Sequence, residues 1–351
     1  MKKLIALALA AVMVFTLMAV SLAEEMYISV ISKGEQHAFW QAVKKGCEDA
    51  AKAQGVNMFY YGPPSEADIQ QQVDALNSEM AKNPKAICLA ALDTQAVLGQ
   101  LTEAKEKGIP VVGFDSGVPG APEGSIVSTV ATNNKAAAGM AAEKLMEVPE
   151  LVEAMKAATP ENPIVIGCLS QDVTSMSVSY RTEGFVEKMK ELASAHGTVS
   201  VEGIEKFANK VEGASIIIHV EVGATAQSAD LVNAANALLN MKNLAAVFCS
   251  NEGVANALLA ATADGSELAE GGRYEKLIVA GFDAGSSQKN AVRQKWFIGA
   301  VSQNPYKMGY LAVETAVKAA KGETVEDADT GAVWYNSENI DNEDVAMLVY
   351  D

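Results

Sequence analysis

The chain has 351 residues, of which 49% are hydrophobic and only 6% are aromatic. This composition suits one large or two medium globular domains and excludes a fibrous or disordered protein. The formal net charge of -17 should repel phosphate backbones and anionic membrane surfaces, so we predict no nucleic-acid partner.

The chain begins with an apolar segment, MKKLIALALAAVMVFTLMAVSLAEE. Two lysines precede the apolar run, and Ser21 and Ala23 fill the small-residue positions of a signal-peptidase site. The alternative is an uncleaved anchor, because the run approaches the ~20 residues that span a bilayer. We predict that residues 1–23 are a cleaved signal peptide and that the protein is exported to the periplasmic or cell-surface side of the cytoplasmic membrane. No cysteine lies near the cut, so a lipid anchor is not indicated.

From residue 26 onward, short runs rich in Val, Ile and aromatic residues alternate with Ala-rich segments of helical period. The strand-like runs include YISVIS, AICLAA, IPVVGF, IVIGCL and LIVAGF, and a typical helical segment is FWQAVKKGCEDAAKAQG. This rhythm predicts an α/β fold in which parallel sheets are covered by helices on both faces.

One element of this pattern occurs twice, as VVGFDSG at 111–117 and as VAGFDAG at 279–285. In each copy a strand, a polar loop and a helix lead to a second strand that ends in Gly-Phe-Asp. We interpret the copies as corresponding parts of two similar lobes, which places Asp115 and Asp283 at carboxyl ends of strands, where ligands bind in such sheets. The alternative for each aspartate is an Asx turn that ends the strand.

The cysteines and histidines do not indicate a metal site. Cys88, Cys168 and Cys249 lie inside apolar strand-like runs, as is typical of small buried hydrophobic residues, and the even count of four leaves a disulfide open. The three histidines are too scattered for a metal site, so we predict neither a metal nor a cofactor.

Several short motifs, taken in order, resemble one protein family. They are SKGEQHAFW after the first strand, YRTEGF, SNE after a later strand, GFDAG and SQNPYKMG. Together with the signal peptide and the two repeated lobes, this ordered set resembles the type I periplasmic sugar-binding proteins of ABC importers, the ribose- and galactose-binding group. The resemblance covers about residues 26–349.

The resemblance implies a monomer of two Rossmann-like lobes that close about a hinge of three crossing strands, near residues 131–133, 303–304 and 332–335. It implies a binding protein and not an enzyme. Such a protein captures a monosaccharide or related polyol between the lobes and delivers it to the membrane permease of an ABC importer. The implied lobes are residues 24–132 with 304–331 and residues 133–303 with 332–351.

The ligand-binding residues that the resemblance implies come from both lobes. Aromatic side chains would stack on the C–H faces of a sugar while carboxylates and amides bind its hydroxyls, and an arginine would offset the cost of burying the carboxylates. Carried over by position, they are Ser32, Lys33, His37, Phe39, Trp40, Asp115, Ser116, Arg181, Asn251, Asp283 and, at a crossing, Gln303.

Several of these residues have a structural alternative. Trp40 lies at the start of an amphipathic helix and would then belong to the core. Arg181 would be an ion-pair partner for a neighbouring acid, and Asn251 would cap the helix that follows it. Gln303 would belong to the turn before Pro305, the first residue of a helix.

The sequence also departs from the family pattern. Ala38 replaces a proline before the aromatic pair, Ser116 replaces an arginine found in ribose binders, and a second-lobe aromatic is replaced near Ala224. These departures argue against ribose as the ligand. The segment at 198–223 is longer than the family needs there, and we expect it to form an added hairpin.

Other functions compete with sugar import. Lys33 and the stretch GPPSEADIQQQV also resemble the branch that binds the furanosyl signal autoinducer-2, although that branch lacks the second-lobe aspartate and the arginine. Sugar sensing through a chemoreceptor or sensor kinase is compatible with transport. A glycosidase would use two carboxylates across a cleft, but here both carboxylates belong to copies of one repeat, and no GxSxG, GxxxxGK[ST] or HExxH motif of other enzyme classes occurs. A sugar-responsive repressor would need a helix-turn-helix where the apolar N-terminus stands.

Overall fold

The computed structural model describes residues 26–346 and 348–350, so the predicted signal peptide lies outside the described residues. This part of the chain forms two mainly parallel sheets with helices on both faces, which confirms the predicted α/β fold of two lobes. The strands are β1 Tyr27–Ile31, β2 Asn57–Tyr61, β3 Ala86–Leu89, β4 Val111–Phe114, β5 Ile126–Ala131, β6 Ile164–Ser170, β7 Val199–Gly203, β8 Ile216–Val222, β9 Leu244–Cys249, β10 Ile278–Phe282, β11 Gly299–Gln303, β12 Ala328–Asp329 and β13 Ala332–Tyr335. The α-helices are α1 Ala38–Gln54, α2 Ile69–Met80, α3 Leu98–Glu106, α4 Asn134–Met146, α5 Pro149–Ala157, α6 Met176–Ala193, α7 Ser228–Leu239, α8 Glu252–Ala261, α9 Ser286–Arg293, α10 Pro305–Ala320 and α11 Glu343–Ala346.

The first lobe is built on a sheet with the strand order β12-β5-β4-β3-β1-β2, in which all neighbouring strands are parallel. Helices α1 and α10 cover one face, where Val43 and Val313 are fully buried. Leu76 of α2 and Leu101 of α3 are buried on the other face. Strands β3 and β4 are buried along their whole length, as expected for central parallel strands.

The second lobe has the strand order β13-β11-β10-β9-β6-β8-β7. All neighbours are parallel except the edge strand β13, which is antiparallel to β11. Phe185 of α6 stacks on Phe248 of β9 with ring centroids 4.4 Å apart on one face, and Leu238 of α7 and Leu258 of α8 are buried on the other.

The chain passes between the two sheets at three places. It leaves the first sheet at residues 132–133, returns at Asn304, and leaves again at residues 330–331. The third crossing therefore lies before the predicted residues 332–335, which form β13 instead, because their backbone pairs with β11 of the second sheet. At this crossing Gly331 is left-handed, with a φ of 81°, and its N–H donates to Asp329 Oδ1 at 2.8 Å.

The expected hairpin at 198–223 is wrong. The segment forms β7 and β8, which run parallel, because the loop at 204–215 carries the chain back along β7 before β8 begins. Strand β8 pairs with both β6 and β7, so β7 is an edge strand of this sheet. The extra length of the segment at 198–223 therefore forms this edge strand. Lys206 in the loop donates from Nζ to the Val173 carbonyl at 2.8 Å and to Ser179 Oγ at 2.9 Å, which ties the added segment to the loop after β6.

Candidate functional site

The carboxyl ends of the strands of both sheets meet at a cavity between the two lobes. The void that remains between the side chains is only about 20 Å³, roughly the space of one water molecule. The lining residues are Lys33, His37, Phe39, Trp40, Glu66, Asp115, Val178, Arg181, Asn251, Glu252, Gly253, Asp283 and Gln303.

The two repeated aspartates occupy equivalent positions in the two lobes. Asp115 follows β4 and Asp283 follows β10, and both have left-handed backbones, with φ of 54° and 75°. Each donates its N–H to the neighbouring strand, Asp115 to the Val130 carbonyl at 3.0 Å and Asp283 to the Val301 carbonyl at 2.8 Å. Asparagine and aspartate tolerate this conformation better than most residues, so the same strand-ending turn brings one carboxylate from each lobe to the cavity.

Arg181 lies between these carboxylates. Its guanidinium nitrogens are 3.9 Å from Asp115 Oδ1 and 3.6 Å from Asp283 Oδ2. Two hydrogen bonds fix the group, from Nε to Asn134 Oδ1 at 2.8 Å and from Nη1 to the Ser250 carbonyl at 3.2 Å. The guanidinium carbon also lies 4.0 Å from the centre of the Phe282 ring, so packing fixes its plane. Arg181 is thus an ion-pair partner, as the structural alternative held, and it also lines the cavity.

Lys33, which follows β1, forms a buried ion pair with Asp115. Its Nζ is 2.8 Å from Asp115 Oδ2 and donates to Ser177 Oγ of the other lobe at 3.0 Å. Burial alone would lower the pKa of Lys33, but the charges of Asp115 and Glu66 raise that pKa above its ordinary value. Lys33 therefore stays charged at neutral pH and joins the two lobes.

Asp283 is held by residues of its own lobe. Its Oδ1 accepts a hydrogen bond from Gln303 Nε2 at 2.7 Å, and its Oδ2 accepts one from the Glu252 N–H at 3.0 Å. Burial raises the pKa of Asp283 above its ordinary value, although Arg181 and the hydrogen bond from Gln303 act in the opposite direction. The effect of burial on the pKa of Asp283 is therefore larger than the combined effects of Arg181 and Gln303.

The aromatic pair belongs largely to the core of the first lobe. Trp40 is 2% exposed and Phe39 is 6% exposed, and their rings meet edge to face with centroids 4.9 Å apart. Trp40 also contacts Phe114 edge to face at 6.4 Å. Both residues also line the cavity, but Trp40 is almost wholly buried in the core, as its structural alternative held.

A chain of hydrogen bonds runs from Trp40 across the cleft. Trp40 Nε1 donates to Glu66 Oε1 at 2.7 Å, Gln171 Nε2 of the second lobe donates to Glu66 Oε2 at 2.7 Å, and Asn251 Nδ2 donates to Gln171 Oε1 at 2.8 Å. Burial tends to raise the pKa of Glu66, but Lys33, His37 and the two hydrogen bonds lower that pKa below its ordinary value. Glu66 is therefore an ionised contact between the lobes.

His37 and Glu252 form a second charged contact between the lobes, with His37 Nδ1 3.7 Å from Glu252 Oε1. Burial works against the charge of His37, but the interaction with the Glu252 carboxylate and the charge of Glu66 raise its pKa to about 9. Gly285, the last residue of the second repeat copy, leaves room for Glu252, because a Cβ at this position would collide with that carboxylate.

Two buried acceptors in the cavity have no hydrogen-bond partner within the described part of the chain. They are Glu252 Oε2 and Gln303 Oε1. A buried acceptor without a donor costs free energy, so both atoms favour a ligand that brings donors such as hydroxyls.

The structure brings most of the predicted residues together. Ser32 and Ser116 do not line the cavity: Ser32 Oγ donates to the Gly34 and Tyr61 carbonyls, and Ser116 Oγ accepts from the N–H groups of residues 176 and 177 in the other lobe. The other nine predicted residues line it, and their role in binding stays a prediction. Asn251 also caps α8, with Oδ1 accepting from the Val254 N–H at 3.2 Å, as its structural alternative held.

Sequence reasoning missed three polar residues that line or bridge the cavity, Glu66, Gln171 and Glu252. Glu66 lies inside GPPSEADIQQQV and Glu252 inside SNE, so two of the three belong to stretches that the resemblance had already marked. Gln171 directly follows the long buried strand β6, and its position at the carboxyl end of that strand was the available signal.

Within residues 26–346 and 348–350, no cluster of three or more His, Cys, Asp or Glu side chains could hold a metal ion. In the same residues, no helix has the length and apolar character needed to cross a membrane. All four cysteines are buried free thiols.

Comparisons with known proteins agree with this architecture. A family model described as "Periplasmic binding protein domain" matches residues 28–324. The D-allose-binding periplasmic protein of Escherichia coli K12 is 25% identical over 297 residues, which are 84% of this chain and 84% of that protein.

Two solved structures are similar over nearly their whole length. One is described as an ABC transporter, LacI family transcriptional regulator from Brachyspira murdochii, with 37% identity, a TM-score of 0.78, and coverage of 93% of this chain and 99% of that one. The other is an ABC transporter solute binding protein from Agrobacterium vitis with bound D-fucose, with 27% identity, a TM-score of 0.74, and coverage of 92% and 100%.

Proposed function

This chain belongs to the family of periplasmic binding protein domains, and on that basis we propose that it binds a monosaccharide or related polyol between its lobes and delivers it to an ABC permease. The relatives support the ligand class, since one is named for D-allose and another holds D-fucose. We propose that the protein acts outside the cytoplasmic membrane, as a monomer and without catalysis.

The observation that carries the proposal is the pair of equivalent aspartates at one cavity. Asp115 and Asp283 come from different lobes and both face Arg181. A hydroxyl donates to a carboxylate and accepts from a guanidinium, so a polyhydroxylated ring can bind all three groups at once. The unpartnered oxygens of Glu252 and Gln303 add two acceptors for further hydroxyls.

The small void supports binding by closure. A cavity of about 20 Å³ cannot hold a sugar ring, so the ligand has to enter while the lobes are apart, and the lobes have to close around it to a slightly wider separation than they have here. Polar contacts such as Lys33–Ser177 and Glu66–Gln171 join the lobes in the closed form. In this proposal the sugar shifts the equilibrium between open and closed forms through its higher affinity for the closed one.

A furanosyl signal of the autoinducer-2 type is the second candidate. Lys33 and Glu66, from the two stretches that resemble that branch, both line the cavity. Asp283 and Arg181 favour the sugar, because that branch lacks both. Reception by a chemoreceptor or sensor kinase would use the same closed form and remains compatible with either ligand.

Thermal unfolding of the mature protein with neutral sugars tests the proposal. A ligand at one hundred times its Kd stabilises the folded state by about 2.7 kcal/mol, which is readily visible as a raised Tm. We expect at least one of D-allose, D-fucose, other neutral aldoses and polyols to raise the Tm in proportion to the logarithm of its concentration. A rise with the furanosyl signal alone would favour the second candidate, and no rise with any probe would refute both.

A further inference from the structure

A second cavity lies next to the proposed sugar site, on the side away from the three crossings. It has a volume of about 240 Å³ and lies between residues 66–69, which follow β2, and residues 222–226, which begin with the last residue of β8. In both sheets the crossing strands are at one end, and β2 and β8 are at or near the other. This cavity, which we call the vestibule, therefore occupies the mouth of the cleft.

The walls of the vestibule are mainly apolar and come from both lobes. Ile69 and Leu92 line it from the first lobe, and Val222 and Ala224 line it from the second. Ala224 is exposed, so the vestibule reaches solvent there. Its volume exceeds the roughly 150 Å³ of an engineered apolar cavity in another protein that binds benzene, so a ring fits within it.

Only side chains separate the vestibule from the sugar site. Glu66 lines both cavities, and its hydrogen bond with Gln171, at 2.7 Å, forms the partition between them. Glu66 is held by Trp40, and Gln171 is held by Asn251, so each half of the partition remains fixed to its own lobe when the lobes separate. A group attached to a bound sugar can therefore pass between the two halves as the lobes close around it.

The charges at the vestibule restrict the kind of group that fits. Carboxylates of Glu66 and Asp172 line it, while none of its lining residues is basic. A phosphate or carboxylate substituent would be repelled, whereas a neutral group with an apolar face would bury surface against Ile69, Leu92 and Val222.

We propose that the vestibule is a subsite for a neutral ring attached to the sugar in the cleft, so that the protein accepts glycosides as well as free monosaccharides. The inference rests on the proposed function, because the vestibule takes only what a bound sugar carries into it. The ring lies between Leu92 and Ala224, with the glycosidic bond beside Glu66 and Gln171.

Isothermal titration calorimetry of the mature protein tests the subsite. The probes are the neutral aldoses D-allose, D-fucose, D-glucose and D-galactose and the α- and β-phenyl glycosides of each. We expect one phenyl glycoside of a bound aldose to bind at least as tightly as the aldose itself. Ala224→Phe, which fills the vestibule, should weaken that glycoside about 10- to 200-fold and change the free sugar less than about twofold.

Ala260→Phe is the matched control, because Ala260 is an exposed alanine of the same lobe that lines neither cavity. It should leave both affinities unchanged. Binding of free aldoses with rejection of every phenyl glycoside would overturn the subsite and leave the proposed function standing. Equal glycoside affinity in Ala224→Phe and the wild type would also overturn it. Binding of no aldose and no glycoside would overturn the proposed function and the subsite together.

Discussion

The substitution Asp283→Asn separates the charge of the second-lobe carboxylate from its shape. Asparagine keeps the size of the side chain and tolerates the left-handed backbone that Asp283 adopts, with a φ of 75°. The amide has one acceptor oxygen instead of two, so it cannot accept from both Gln303 Nε2 and the Glu252 N–H. It also removes the negative charge that faces Arg181 at 3.6 Å.

The expected loss of affinity follows from these contacts. A hydrogen bond to a charged group contributes about 1.5–3 kcal/mol, and the ligand loses at least one such acceptor. At 1.4 kcal/mol per factor of ten, the Kd of the bound sugar should rise about 10- to 150-fold. The free energy of unfolding should change by only about 1 kcal/mol, because the neutral amide avoids the desolvation that raises the pKa of the carboxyl group.

Isothermal titration calorimetry gives the affinity, and small-angle X-ray scattering gives the sugar-induced compaction, which should need correspondingly more sugar. Asp264→Asn is the matched control, because Asp264 is also left-handed, with a φ of 54°, but is exposed in the same lobe. It should leave both measurements unchanged. A Kd for Asp283→Asn within twofold of the wild type would refute the view that the second repeat copy supplies a ligand-binding carboxylate.

Four further predictions concern other parts of the chain. Mass spectrometry of the exported protein should find Glu24 at the N-terminus, and recovery of the uncleaved chain in membranes would contradict this. The raised pKa of His37 stabilises the folded state fully below about pH 6.5, and this contribution is lost as the pH rises through about 9, so the free energy of unfolding should fall over this range and His37→Gln should flatten the fall. Lys206→Met should weaken sugar binding by a few fold with little change in Tm, since the loop after β6 loses its tie to the added segment, and an unchanged Kd would contradict this role. Asp115→Asn should lower the Tm of the unliganded protein more than Asp283→Asn does, because it leaves a buried lysine without its carboxylate, and equal Tm values would contradict that reasoning.

The sequence alone was sufficient to place candidate site residues that directly follow the carboxyl end of a strand. Asp115 and Asp283 could be placed because each directly follows a short apolar run, and the carboxyl ends of parallel strands share one edge, whereas Asn251 was placed by the family resemblance. The repeated Gly-Phe-Asp motif then identified equivalent positions in the two lobes, although the sequence does not show how the lobes lie relative to each other. Trp40 was harder to assign, because an aromatic residue at a helix start is equally suited to a core and to a ligand, and only the packing against Phe114 decides.

The sequence was insufficient to predict which residues of the two lobes contact each other across the cleft. Glu66 and Gln171 are 105 residues apart in sequence, and neither shows by itself that the two meet. The direction of β7 was missed for a related reason, since two alternating apolar runs joined by a turn-rich loop fit an antiparallel hairpin as well as a parallel pair. Pairing of β8 with β6 on its other side fixes the direction, and that contact is not local.

In the closed structure, polar groups of the site already contact one another. The affinity for a sugar is therefore the difference between the contacts that the sugar makes and the contacts that it displaces. In the structure, Asp115 already pairs with Lys33, and Glu66 already accepts hydrogen bonds from both lobes. A sugar that enters the cleft has to replace or share these contacts, so it gains only what they do not already supply. The acceptors left without donors, Glu252 Oε2 and Gln303 Oε1, lie beside Asp283 rather than Asp115. The second lobe therefore offers the unsatisfied half of the site, and selectivity among sugars should depend mainly on which hydroxyls reach that half.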